Sequence, residues 1–336
     1  MGGQGDDGRW VERHAWDWRA VLRHSLLWLL LAAALPLQAQ SGAPPLRDYA
    51  IDVWTSRNGL PHNSLRDIAQ TPEGHLWFAT WEGLVRYNGL DFTVYDRSTR
   101  PGLRDNGIGA LFVDRQGGLW ISDSRGNVSR RGSDGQWRVW EHQPDTPQVL
   151  IQSMQMDSQG RLWLLYEGKG LGYLAPDKGL VYQAPAADLP MAMSFTKLVV
   201  DAQDRVWVGT LDGLVLRDND GVLKRAPAAW GLGAGSGLSW PYRAPDGALW
   251  IVAGERLYRV EDDRLVLVHR LPGQLHLTSM LQDRHGDLWL GTENQGLLRI
   301  SSHGLERLPA GLSLPGGRVV SLREDDEGSI WVGANG

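Results

Sequence analysis

Seven tryptophans at nearly constant intervals, a glycine-marked turn before each, and a surplus of glycine predict an all-β chain. The specific expectation is a seven-bladed β-propeller of four-stranded blades. Trp77, Trp120, Trp163, Trp207, Trp250, Trp289 and Trp331 are spaced by 43, 43, 44, 43, 39 and 42 residues, and each stands between two apolar residues. Three positions earlier comes glycine in six of the seven copies, with Asp204 the exception; six positions earlier comes aspartate in five, with Thr71 and Ala244 departing. Glycine makes up 42 of 336 residues, well above the usual ~7%.

Each element of the unit has a local reason. In residues 63–96 the apolar, β-prone runs fall at about 64–69, 75–79, 84–87 and 91–95. The Asp-x-x-Gly element makes the first turn, because aspartate bonds its own backbone two residues on and glycine accepts positive φ. Gly83 makes the second turn and Asn88-Gly89, a hairpin dipeptide, the third. Four strands repeated at ~40–50 residues are a propeller blade; helical repeats of similar period lack this turn chemistry.

The recurring tryptophan falls in the second strand, where its ring can fill the space between neighbouring sheets. Burying a ring of that size removes ~150–250 Å² from water, worth at most ~4–6 kcal/mol. A residue recurring once per unit serves the unit, so the seven tryptophans are read as packing residues and not as a carbohydrate-stacking ladder. Closure is expected from residues 49–54 as the outer strand of blade seven. The sequence stops after the second strand of that blade, so the expectation is a propeller over 41–336, truncated within blade seven.

Residues 1–40 read differently. Arg19, Arg23 and His24 precede the apolar run 25–35, followed by Pro36 and a small residue, Ala39, before a polar stretch. This is the pattern of a secretory signal peptide, or of a short anchor if the apolar run is extended toward the ~20 residues a span requires. Export follows from either. The net charge of −5 gives no reason to expect a nucleic-acid binder, which normally shows a basic face, and with no cysteine there are neither disulfides nor thiolate metal sites.

The wording of 53–89, VWTSRNGLPHNSLRDIAQTPEGHLWFATWEGLVRYNG, and the repeat Asp-x-x-Gly-x-Leu-Trp-x-Gly-Thr-x-x-Gly-Leu resemble the two-component regulator propeller family. Asp287-Leu288-Trp289-Leu290-Gly291-Thr292 matches this repeat closely; the second, third and fifth units depart after the tryptophan. The resemblance implies the periplasmic sensor region of a bacterial membrane signalling protein. It also implies parts not seen in this sequence: a second propeller, a small β-sandwich spacer, a transmembrane helix and a cytoplasmic output domain, which is a diguanylate cyclase with a GGDEF motif, favoured by the wording, a histidine kinase or a DNA-binding regulator. It further implies self-association through the full-length protein and attachment to the inner membrane, through the N-terminal segment or a downstream helix.

No catalytic motif, cofactor fingerprint or paired-histidine metal site stands out. The turn aspartates lie on different blades, which argues against one calcium site. An extracytoplasmic ligand is expected where loops converge on one face. The loops between second and third strands are the least repetitive, and Trp81, Arg125, Tyr166, Lys169, Glu293 and Asn294 offer an aromatic, cationic and amide mixture suited to a saccharide-like or anionic ligand. The alternatives are an exported propeller enzyme, a lyase or glycan hydrolase, which needs convergent acid and base groups, and a protein-binding scaffold.

Overall fold

The computed structural model describes residues 44–335 apart from 58, 59, 61, 100, 101, 176, 184–193, 218–220, 234 and 309–316. The signal or anchor expected in 1–40 lies outside the described residues. The first sheet is β1 (Leu65–Gln70), β2 (Leu76–Thr80), β3 (Gly83–Tyr87) and β4 (Phe92–Tyr95), each within a residue or two of its expected position. The second is β5 (Ile108–Val113), β6 (Leu119–Asp123), β7 (Val128–Arg131) and β8 (Trp137–Trp140), and the third β9 (Ile151–Met156), β10 (Leu162–Tyr166), β11 (Gly170–Ala175) and β12 (Gly179–Gln183). The fourth is β13 (Phe195–Val200), β14 (Val206–Thr210), β15 (Gly213–Arg217) and β16 (Leu223–Arg225), and the fifth β17 (Ser239–Arg243), β18 (Leu249–Ala253), β19 (Arg256–Glu261) and β20 (Arg264–Arg270). The sixth is β21 (Leu277–Gln282), β22 (Leu288–Thr292), β23 (Leu297–Ser301) and β24 (Gly304–Arg307). All six are antiparallel meanders. A last pair, β25 (Arg318–Glu324) and β26 (Ile330–Asn335), completes the circle: the first strands of successive sheets touch one another, and β25 touches both β21 and β1.

The propeller therefore has six four-stranded blades, not the seven expected, and its last sheet has two strands. Residues 49–54 do not supply an outer strand; among the described residues 49–57 contain none. Among the described residues no third strand lies beside β26 for a fourth to pair with. The N-terminal segment is held by side chains instead. Arg299, 1% exposed, donates from Nη1 to the Pro44 carbonyl at 2.6 Å and faces Asp287 (3.1 Å) and Glu306 (3.4 Å). Its guanidinium also lies over the Tyr49 and Trp289 rings, while Trp54 stacks on Trp331 with centroids 5.2 Å apart.

The core lies between blades rather than within them. Trp77 packs with Leu111 and Ile121 of the second blade, Trp163 with Leu198 and Val208 of the fourth, and Trp207 with Ile251 of the fifth. The turn aspartate does more than shape its own loop. One carboxylate oxygen accepts the turn amides while the other accepts the indole Nε1–H of the tryptophan six residues on. That bond is 2.8 Å for Trp120 to Asp114, 3.0 Å for Trp163 to Asp157, 2.7 Å for Trp207 to Asp201, 2.8 Å for Trp289 to Asp283 and 2.7 Å for Trp331 to Asp325. Thr71 substitutes through its hydroxyl, accepting from Trp77 at 3.2 Å. In the fifth blade Ala244 leaves the buried Trp250 Nε1 without a partner. Ala244→Asp is expected to raise stability by about 1 kcal/mol, the net worth of a buried hydrogen bond. A denaturant midpoint that falls would refute the pairing.

The rest of the repeat has equally local causes. In Trp-x-Gly-Thr, a Cβ on Gly209 would collide with the Ser239 carbonyl of the next blade, and one on Gly291 with Val319. Thr210 then closes the following loop, donating to the Gly213 carbonyl at 2.8 Å and accepting the Asp212 amide at 3.0 Å. Asp204, standing where the other turns have glycine, is left-handed at φ 61°. Its carboxylate accepts the Ser158 amide (2.8 Å) and hydroxyl from the neighbouring blade, which offsets part of that strain.

Candidate ligand-binding face

The loops between second and third strands and the starts of the inner strands share one face, because antiparallel pairing sets Leu65 opposite Thr80 and Leu277 opposite Thr292. The threonine-closed turns hold these loops firmly, so a side chain on them is presented from a rigid base. Trp81, 43% exposed, stands on the first loop. Its ring rests against Gly107 of the second blade, where an added Cβ would come within 2.9 Å of it. The Arg66 guanidinium carbon lies 4.7 Å from the ring centroid, a cation–π distance.

Arg66 was not among the expected site residues, and its position is informative. It stands eleven residues before the repeat tryptophan, on the strand nearest the axis. In three of the other six sheets that position carries Gln152, Thr196 or Thr278, which donate to the carbonyls of Phe195 (2.9 Å), Ser239 (2.8 Å) and Val319 on the next inner strand; the remaining three carry Gly109, Ser239 and Val320. Arg66 breaks the pattern: its Nε is buried and has no hydrogen-bond partner. Burial lowers its pKa from the ordinary arginine value, the positive charge of Arg318 lowers it further, and Glu167 and Asp67 oppose the shift. Arg318 opens β25 and faces Glu293 at 3.8 Å. The mouth of the axis thus gathers Arg66 and Trp81 from the first blade, Glu167 from the third, Glu293 from the sixth and Arg318 from the last sheet.

The other expected site residues divide. Arg125 is exposed and paired with Asp105 at 2.8 Å; that carboxylate also accepts the Ser124 hydroxyl and the Gly107 amide. Lys169 and Asn294 are exposed on their loops, and the Lys169 carbonyl accepts the Tyr182 hydroxyl at 2.7 Å. Tyr166 does not reach the face. It is fully buried at the end of β10, edge-on to Tyr182, and burial raises its pKa. Asp123, where three other loops have threonine, is buried with a raised pKa: burial outweighs the hydrogen bonds it accepts from Asn127 and the Arg125 amide. It builds its turn. Among the described residues no group of three or more potential metal ligands converges, and no helix is long and apolar enough to cross a membrane.

Four segments of the chain, 59–82, 102–125, 271–294 and 313–336, match the two component regulator propeller family. No curated protein matches the chain. Among solved structures, it is similar to the extracellular domain of a putative hybrid two component system from B. thetaiotaomicron, with TM-score 0.68 and 20% identity over 86% of this chain and 41% of that one. It is similar also to the extracellular domain of a putative one component system from the same organism, with TM-score 0.62 and 18% identity over 81% of this chain and 37% of that one. A catalytically inactive virginiamycin B lyase from Staphylococcus aureus has TM-score 0.62 and 14% identity over 82% of this chain and 93% of the lyase. At these identities the likeness is one of fold. The chain spans about two fifths of the length of the two signalling-system domains.

Proposed function

From a chain that carries two component regulator propeller repeats, we propose a sensor: the ligand-recognising propeller of an exported bacterial signalling protein. The family match over four segments is the observation that carries this reading. The propeller takes an extracytoplasmic ligand at the mouth around Arg66, Trp81 and Arg318. It controls a cytoplasmic output domain, a diguanylate cyclase in preference to a histidine kinase, and is held at the periplasmic face of the inner membrane by an N-terminal anchor or a downstream helix. Self-association of the full-length protein passes the signal on, by differential affinity of the ligand for two arrangements.

The mouth favours a saccharide-like ligand with an acidic group. Arg66 keeps a buried, unfilled donor for an oxyanion, the carboxylates of Glu167 and Glu293 can accept from hydroxyls, and Trp81 supplies an apolar ring edge. The test is a thermal-shift and calorimetric screen of the propeller against neutral and acidic mono- and oligosaccharides. An acidic sugar at about a hundred times its Kd is expected to stabilise the fold by ~2.7 kcal/mol. Trp81→Ala is expected to abolish the shift while the unliganded melting point stays put. The reading fails if no sugar shifts the protein, or if Trp81→Ala responds as wild type does.

A further inference from the structure

The outer edges of the complete blades are not alike. In five of them the fourth strand has three to five residues: β4, β8, β12, β16 and β24. In the fifth blade β20 has seven, Arg264–Arg270, and among the described residues no strand lies along its far side. Val266, Leu267 and Val268 stand side by side on it, 40%, 43% and 47% exposed, whereas the other fourth strands together expose one large apolar side chain to that degree, Val94. An apolar edge of this kind is a template for another strand. The hairpin shows which backbone groups face outward. Asp262 and Asp263, at φ 48° and 57°, form the two-residue turn between Glu261 and Arg264. The pair flanking such a turn is hydrogen-bonded, so Arg264 and Val266 bond to β19 while Leu265 and Leu267 turn their amides and carbonyls outward. Charges flank this edge as well. Asp262 and Arg270 are exposed, and among the described residues their side chains have neither a hydrogen bond nor an ion pair.

We propose that β20 pairs with β20 of a second copy of this chain, antiparallel about a two-fold axis at Val266. A two-fold axis perpendicular to the sheet sets one residue of the strand opposite itself, and on this edge that residue is Leu265, Val266 or Leu267. An axis at Leu267 brings Arg264 opposite Arg270 of the partner subunit, like charges in direct opposition. One at Leu265 brings the charged turn residue Asp263 against the apolar Leu267. At Val266 these conflicts vanish. Leu265 then lies opposite Leu267 on both sides of the axis, where their outward amides and carbonyls bond each other, and the two valines meet at the axis. The Asp262-Asp263 turn of each copy comes beside His269 and Arg270 of the other. Charge and backbone thus select the same register. An unrelated strand meets the apolar run alone, whereas a second copy also answers the charges at both ends. Val268 is the extra residue of a bulge between Leu257 and Tyr258 of β19, which limits the straight part of the edge to Arg264–Leu267. The interface is therefore small, and the pairing reversible and concentration-dependent. It uses none of the residues at the ligand mouth, so its failure would leave the sensor reading standing.

The chain has no cysteine, so single cysteines report the register. Val266→Cys puts a thiol on each member of a non-hydrogen-bonded pair with Cα atoms ~4.5 Å apart, within disulfide reach, and is expected to give a covalent dimer on mild oxidation. Leu267→Cys is offset from its own copy by ~6.6 Å along the strands and ~4.8 Å across them, beyond that reach, and is expected to stay unlinked. Both positions are exposed, so the comparison does not turn on folding. Sedimentation equilibrium of the unmodified chain is expected to show monomer and dimer in exchange. Val266→Lys and Arg270→Glu are each expected to raise the dissociation constant by about tenfold or more. Faster linking at Leu267→Cys than at Val266→Cys would overturn the register, and equal linking would mean apolar adhesion without strand pairing. A chain that stays monomeric up to millimolar concentration, with no link at Val266→Cys, would overturn the interface. A dimer indifferent to Val266→Lys would place the contact elsewhere and overturn it too.

Discussion

Arg299→Met is expected to destabilise the propeller by about 3–5 kcal/mol, the cost of removing one partner from a buried ion pair. Methionine keeps the length and apolar stem of the side chain, so the loss reports charge and hydrogen bonding rather than a cavity. Without the guanidinium, Asp287 and Glu306 face each other with no cation between them, and the Pro44 carbonyl loses its donor. The N-terminal segment loses the anchor that seats Leu46, which is buried and whose amide reaches Glu306. The pH dependence has a definite sign. Asp287 already has a raised pKa, from burial first and the Asp283 charge second, with Arg299 pulling it down. Removing Arg299 raises it further. An acid whose folded pKa lies above its unfolded value costs stability as pH rises through that interval and returns it as pH falls. The deficit of the variant is therefore expected to be largest near pH 7 and smaller near pH 5. Denaturant midpoints of variant and wild type at the two pH values measure this. Equal midpoints at pH 7 would mean that the buried cluster holds nothing together.

What the sequence discloses about this protein follows from what repeats in it. The second-strand tryptophan, the Asp-x-x-Gly turn and the Gly-Thr closure recur because each solves the same packing problem in every blade, so a single chain suffices to place the strands to within a residue or two. The number of blades is not a repeating property. It depends on whether a two-stranded unit finds further strands, and the motif of Trp331 is the same with or without them. The partnership of Asp201 with the Trp207 indole was hidden for another reason: turn chemistry alone accounts for that aspartate, so nothing in the spacing demanded a second role. On the candidate face, loop variability singled out Trp81 and Glu293, which do stand there, but also Tyr166, which ends a strand and turns inward. Arg66 escaped notice because it lies on a strand rather than a loop. Its signal was a long cation where three of the other inner strands carry glutamine or threonine and the remaining three carry glycine, serine or valine.

Trp207→Ala is expected to cost about 3–5 kcal/mol, the range for truncating a core aromatic. Trp207 has no exposed surface and stacks on Trp230 with centroids 5.0 Å apart and planes 7° from parallel. The Arg205 guanidinium sits 5.3 Å from its ring, and its Nε1–H donates to Asp201 at 2.7 Å. The alanine variant forfeits the ring's contacts with the fourth and fifth blades and takes the indole donor from Asp201. Trp207→Phe separates the two contributions. It retains most of the volume and loses the indole donor, so its expected cost is about 1–2 kcal/mol, the bond plus a partner left unmade. Asp201 keeps Arg205 in that variant, with Arg205 Nε at 2.7 Å, which holds the penalty at the low end. Trp331→Ala supplies the comparison. It carries the same motif and the same aspartate bond, but its ring is only partly buried and its outer side meets Trp54 rather than a third strand. Its truncation is therefore expected to cost clearly less than that of Trp207. Equal losses at the two positions, read from denaturant midpoints, would mean that the tryptophan serves its own strand pair and not the seam between blades.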